Sequence, residues 1–196
     1  MILLFDLGGV FVPDSTDVLN REVAEYIGIP VEELVRRWTG ALPPLFTGKM
    51  TIQEFYGSFR HAQPDSGLVL AKHLSVYRKL FCVDPAMAAL LKRLQQRHVT
   101  ACLTNTELEI AGMNREAGLY GLFHHAFLST EMGMRKPEAR IFQAAMRKLD
   151  ASPDNVLLID DKAENIEAAH AVGMRTALFT GRRELEAQLH GLGVDP

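Results

Sequence analysis

Three carboxylates in this chain stand where carboxylates can do chemistry. Asp6 closes the apolar start of MILLFDLGGVFVP, and Asp160 and Asp161 close the apolar run VLLI. Two more apolar runs end in polar residues. Thr104 and Asn105 follow VTACL, and the loop STEMGMRKPEA after HAFL carries Arg135 and Lys136. If these runs are neighbouring strands of an open α/β sheet, their ends meet along its carboxyl edge, where such sheets bind ligands. Like charges gathered there repel unless a cation or a proton neutralises them. Oxygen ligands select a hard cation, and so few carboxylates suit Mg²⁺, which keeps several waters, rather than Ca²⁺. Lys136, Thr104 and Asn105 then offer donors to an anionic group. Gly8 and Gly9 leave the backbone bare, so amides or carbonyls can approach a metal or a phosphate. Carboxylate, Mg²⁺, hydroxyl and lysine together describe phosphoryl transfer, in which an aspartate can act as nucleophile and form an aspartyl-phosphate. Singly these features are ordinary turn and cap chemistry. Their joint order carries the reading.

The elements that must position them follow from hydrophobic pattern. Ile2–Leu7, Val99–Leu103, His125–Leu128, Val156–Ile159 and Thr176–Phe179 are short, continuously apolar runs, the signature of parallel strands covered on both faces. Helical periodicity fills the intervals, as in Pro85–Arg97 and Pro137–Leu149. Alternating strands and helices predict an α/β fold with a doubly wound parallel sheet. One interval breaks the rhythm. Val18–Ile27, Val31–Thr39, Ile52–Ala62 and Leu68–Phe81 all read as helices, and TGALPPLFTGKM reads as a proline- and glycine-rich joint. The interval is too long for a plain loop. It predicts an inserted helical unit, residues 14–84, over a core made of residues 1–13 and 85–196.

Composition excludes some functions. A net charge of −3 offers no basic field for nucleic acid or an anionic membrane. The opening apolar run stops at Asp6 without a basic flank, unlike a secretory leader. No stretch approaches the roughly 18 apolar residues that span a bilayer. Cys82 and Cys102 form no CxxC and no metal spacing, so both are expected reduced and packed in a cytoplasmic protein.

On FDLGGV, CLTNT, GMRKPEARIF and LLIDDKAENIEAAHAVGM, the chain resembles the haloacid dehalogenase superfamily over essentially its whole length. GMRKPEARIF is similar to the branch that acts on α-glucose 1-phosphate; the phosphatase domain of soluble epoxide hydrolases is also similar. The resemblance implies a Rossmann-like core with a helical cap, and Mg²⁺-dependent hydrolysis of a small phosphorylated metabolite of the sugar-phosphate type. It implies roles as well. Asp6 matches the nucleophile and a metal ligand. Thr104 matches the hydroxyl that binds the transferred group, with Asn105, Gly8 and Gly9 beside it. Lys136 matches the lysine that steadies nucleophile and phosphate. Asp161 matches the Mg²⁺ ligand, with Asp160 a neighbouring or water-mediated partner and the Gly8 carbonyl a further ligand. Asn165 falls where many members hold another aspartate.

Gly8 is the departure. Most phosphatases of the superfamily hold an aspartate there, the general acid for the leaving oxygen, a role typically worth ~10²–10⁴-fold. Without it, Asp14, a cap residue or water must protonate the leaving group, or the substrate must have a leaving group that departs easily. Two rival readings remain in view. One is dehalogenation by the same nucleophile, which would leave the Asp160–Asp161 pair without a metal to bind. The other is a silent ligand-binding relative. Elsewhere the plain readings are preferred. His124–His125 mark a strand entry, Arg36 and Arg37 a solvated helix face, and Trp38, Phe46 and Phe55 packing within the helical unit.

Overall fold

Ile2–Phe5 (β1), Val99–Thr104 (β2), His125–Leu128 (β3), Val156–Asp160 (β4) and Arg175–Leu178 (β5) pair into one parallel sheet in the order β3-β2-β1-β4-β5. The computed structural model describes residues 1–59 and 65–195. β1 is buried at all four positions, because both sheet faces are covered. Leu3 and Phe5 face a cluster with Met87, Leu90, Leu185 and Leu189. Ile2 and Leu4 face another with Ile141, Phe142 and Ala169. This period-2 split of a wholly apolar strand is what the doubly wound expectation requires. Strand order reverses between β1 and β4, so the ends of these two strands flank the crevice where such sheets bind ligands.

Helices Thr16–Ile27 (α1), Val31–Phe46 (α2), Ile52–Gly57 (α3) and Ser66–Leu80 (α4) follow β1. They share an apolar cluster that includes Val23, Leu34, Trp38, Phe55 and Val76. Pro85–Leu94 (α5) then leads to β2, capped by Asp84, whose carboxylate accepts the Ala86 N–H at 2.7 Å. Leu108–Glu116 (α6), Ser129–Met132 (α7), Ala139–Lys148 (α8), Ala163–Ala171 (α9) and Arg182–Gly191 (α10) complete the chain. The helical layer leaves and rejoins the sheet at one place: the Asp84 N–H donates to the Phe11 carbonyl at 2.8 Å.

Several boundaries differ from the sequence reading. α2 runs on to Phe46 through Pro43 and Pro44, so most of the expected joint is helix. Leu34, Trp38 and Leu45 keep helical spacing and are buried; their packing outweighs the donors lost at the two prolines. α3 ends at Gly57, and residues 60–62 of the expected helix Ile52–Ala62 lie outside the described residues. α8 starts at Ala139 rather than Pro137, because Glu138 is extended and its N–H donates back to the Arg135 carbonyl at 2.9 Å. Cys102 is buried as expected, but Cys82 is exposed at the α4–α5 junction, where no strand covers it. Among the described residues no helix is long and apolar enough to cross a membrane.

Candidate active site

The Asp6 N–H donates to the Ile159 carbonyl at 2.8 Å. This extends the β1–β4 ladder by one residue and sets Asp6 beside Asp160. Between them lies the Lys136 ammonium, with Nζ 2.9 Å from Asp6 Oδ1 and 2.6 Å from Asp160 Oδ2. Lys136 is only 2% exposed, and an ammonium so deeply buried requires such partners. Its backbone is fixed from β2. Asn105 Nδ2 donates to the Lys136 carbonyl and the Lys136 N–H donates to Asn105 Oδ1, both at 2.9 Å. Asn105 therefore spends its amide on holding Lys136.

Asp160 is saturated. Its Oδ1 accepts from the Lys162 N–H and from Asn165 Nδ2, each at 2.9 Å, and its Oδ2 accepts from Lys136 and Asn165. Asn165, at the position noted for an aspartate elsewhere, here donates to Asp160. Burial pushes the Asp6 carboxyl up to about 6, against the pull of Lys136. Burial alone would lower Lys136, but Asp6 and Asp160 outweigh it and hold the amine above its ordinary value.

One oxygen each from Asp6, Asp160 and Asp161 lie within 4.8 Å of one another. Asp161 Oδ1 is buried without a hydrogen-bond partner among the described residues, and burial together with Asp160 raises its pKa. Gly9 has φ +75, and a Cβ there would stand 2.3 Å from Asp161 Oδ2. Only glycine leaves that carboxylate its place. An all-oxygen donor set with an orphaned carboxylate oxygen fits a hard cation. A Cβ on Gly8, by contrast, would meet nothing within 4 Å.

Part of this arrangement faces a cavity of about 180 Å³. Asp6, Gly8, Thr104, Asn105 and Lys136 line one side of it. Phe46, Tyr77, Ile110 and Asn114 line it from the helices, and the Tyr77 hydroxyl donates to Asn114 Oδ1 at 2.8 Å. Gly9, Asp160 and Asp161 are not among the residues that line it. Phe46 was expected to pack within the helical unit; it lines the cavity instead, because α2 continues past the prolines. Arg36 and Arg37 stay outside it, and Arg37 pairs with Glu33 at 2.6 Å on the exposed face. Asp14 does line the cavity, but its Oδ1 accepts the Thr16 N–H at 3.0 Å. Burial of Asp14 is outweighed by its bonds to Thr16, which hold the carboxyl below its usual range. Sequence reasoning passed over Glu107, Tyr77 and Asn114. Glu107 alone had a signal, standing three residues beyond Thr104.

Comparison with known proteins adds family context. The profile of the haloacid dehalogenase-like hydrolases matches residues 1–173. Phosphatase MT3486 of Mycobacterium tuberculosis is 28% identical over 188 residues, covering 90% of this chain and 85% of that protein. Drimenol cyclase drtB of Aspergillus calidoustus is 23% identical over 209 residues, 99% of this chain but 37% of that protein. The chain thus spans little more than a third of that relative. The HAD family enzyme bt-2542 of Bacteroides thetaiotaomicron, solved with magnesium and inorganic phosphate, superposes with a TM-score of 0.74 at 21% identity. That match covers 92% of this chain and 95% of the other.

Proposed function

The chain belongs to the haloacid dehalogenase-like hydrolases, and from that premise we propose that it is a Mg²⁺-dependent phosphatase acting on a small phosphorylated metabolite of the sugar-phosphate type. One observation carries this reading: Asp6, Thr104 and Lys136 converge on a single cavity, with Asp161 and its orphaned oxygen clustered with Asp6 and Asp160. Asp6 attacks phosphorus. Its Oδ1 is engaged by the Leu7 N–H at 2.7 Å and by Lys136, and its Oδ2 makes no hydrogen bond among the described residues. Lys136 keeps Asp6 charged and meets the phosphoryl oxygens, and Thr104 donates to them. Asp6, Asp161 and the Gly8 carbonyl would hold Mg²⁺, which when bound neutralises charge on the transferring group. Asp160 is assigned a different duty, anchoring Lys136.

Residues 14–84 serve as the cap and residues 1–13 and 85–196 as the core. The substrate enters between them, where Phe46, Tyr77 and Asn114 meet its organic part. A cavity of about 180 Å³ suits a small metabolite. Two free cysteines agree with a cytoplasmic setting.

The test is phosphate release from p-nitrophenyl phosphate and from a sugar-phosphate panel. Turnover is expected with Mg²⁺, with loss on EDTA treatment and in Asp6→Asn. Halide release from 2-haloacids in EDTA would show the dehalogenase reading to be right. No turnover on any ester would leave a silent binding protein.

A further inference from the structure

Cleaving a phosphate ester calls for one group to attack phosphorus and another to protonate the departing oxygen. Gly8 supplies no side chain for the second task. Among the described residues three carboxyl groups line the cavity: Asp6, Asp14 and Glu107. Asp6 is bound to Lys136 and takes the first role. Asp14 is tied to the Thr16 N–H and held as an anion, the wrong form for an acid. Glu107 remains. It occupies the N-cap of α6, yet its side chain makes no capping bond. Its carboxyl makes no hydrogen bond or ion pair with another residue among the described residues, so no neighbour holds it.

We propose that Glu107 is the general acid and base of this site, donating a proton to the leaving oxygen that Gly8 cannot serve. The assignment rests on the phosphatase reading and fills its one chemical gap. The surroundings favour the protonated form. Burial pushes the carboxyl up to about 7, opposed by its own backbone amide and reinforced by Glu109 on α6. Tyr56 on α3 and Tyr77 on α4 lie close enough for Glu107 to oppose their ionisation. The charged groups that share the cavity are Asp6, Asp14, Lys136 and Lys162, and an incoming phosphate dianion adds negative charge that favours the neutral acid further.

The chemistry balances in two steps. First, a bond forms between an Asp6 oxygen and phosphorus as the ester P–O bond breaks. The released electron pair stays on the ester oxygen, which takes the Glu107 proton and leaves as an alcohol. Second, water attacks the aspartyl-phosphate and gives one proton to the Glu107 carboxylate. The bond from phosphorus to Asp6 breaks, its electron pair returns to the aspartate, and phosphate departs with both residues restored.

The experiment compares kcat/KM for p-nitrophenyl phosphate, whose leaving group needs little help, with that for glycerol 2-phosphate, whose leaving group needs much. In E107Q the second value is expected to fall by about 10²-fold or more and the first by less than about tenfold. Turnover of p-nitrophenyl phosphate also reports that the variant is folded. Wild-type kcat/KM on glycerol 2-phosphate should decline from about pH 7 to about pH 9, above the range in which Asp6 ionises, with that limb absent in E107Q. Equal losses on the two esters, or a wild-type profile flat over that range, overturn the assignment while leaving the phosphatase standing. A wild-type protein that releases phosphate from neither ester overturns the phosphatase reading and the assignment with it.

Discussion

At the sheet rim, Lys136 lies between Asp6 and Asp160, three groups buried with their charges in place. In the helical layer the Tyr56 hydroxyl and His73 Nδ1 share a hydrogen bond of 2.8 Å, with Trp38 5.3 Å from the imidazole between ring centres. His73 and Lys136 are equally hidden, each 2% exposed. Yet burial drives His73 down to about 3 and raises Tyr56, so the helical pair is neutral. Neutral groups that satisfy each other are a cheap way to bury polarity. Three buried charges are not: well-packed apolar residues in such places often leave a protein equally or more stable. The contrast separates architecture from chemistry. The pair in the helices is explained by packing, whereas the rim keeps an arrangement that stability alone does not favour.

The strongest way to break this contrast is Lys136→Met. It leaves Asp6 and Asp160 facing each other without a cation, at an expected cost of about 3–5 kcal/mol. Phosphate release should vanish, and urea denaturation in metal-free buffer would measure the loss. The next tests the helical pair through pH. The folded protein holds His73 neutral, while the unfolded chain takes up a proton below 6.5. The stability that this group contributes is therefore present above that pH and is lost as pH falls toward 3. Between pH 7 and pH 5 the advantage of wild type over His73→Gln should shrink by about 2 kcal/mol, read from urea midpoints at the two pH values. Tyr56→Phe is a smaller change. Removing the partner of His73 should cost about 1–2 kcal/mol and leave kcat/KM for p-nitrophenyl phosphate near wild type; a collapse of turnover would mean that the helical pair belongs to the chemistry. The smallest effect is expected for Arg37→Ala. Its pair with Glu33 is exposed, so thermal denaturation should show a change within about 0.5 kcal/mol, with KM unaltered.

The rim was legible in the sequence because sheets covered on both faces have continuously apolar strands, and the residue that ends each run is the one presented at the edge. Asp6, Thr104 and Asp160 stand out on that ground alone. The resemblance distinguished Asp161 from Asp160 as a metal ligand, but the contact of Asp160 with Lys136 was not legible. A neighbouring pair of aspartates does not reveal which one meets Lys136, since that depends on Asn165 and on the ladder register of β4. The helical side of the cavity was harder still. Phe46 is there only because burial of Leu45 carries α2 through two prolines. Tyr77 and Asn114 come together from α4 and α6, helices far apart in the chain. Glu107 resembles any acidic residue that opens a helix, and only the fold turns it toward the cavity.

The hydrogen bond from Asp84 to Phe11 bears on how this chain can vary. The two ends of the intervening segment coincide in space, so that segment behaves as a cassette. Closure of the loop is provided at its base, between β1 and α5. On the proposed cap and core division, a recombination event confined to residues between Val12 and Val83 would exchange Phe46 and Tyr77 in the cavity wall and leave Asp6 in register with Asp160. On the phosphatase reading, change confined to one contiguous stretch of coding sequence would alter part of the substrate's surroundings while Asp6, Lys136 and Asp160 stay as they are.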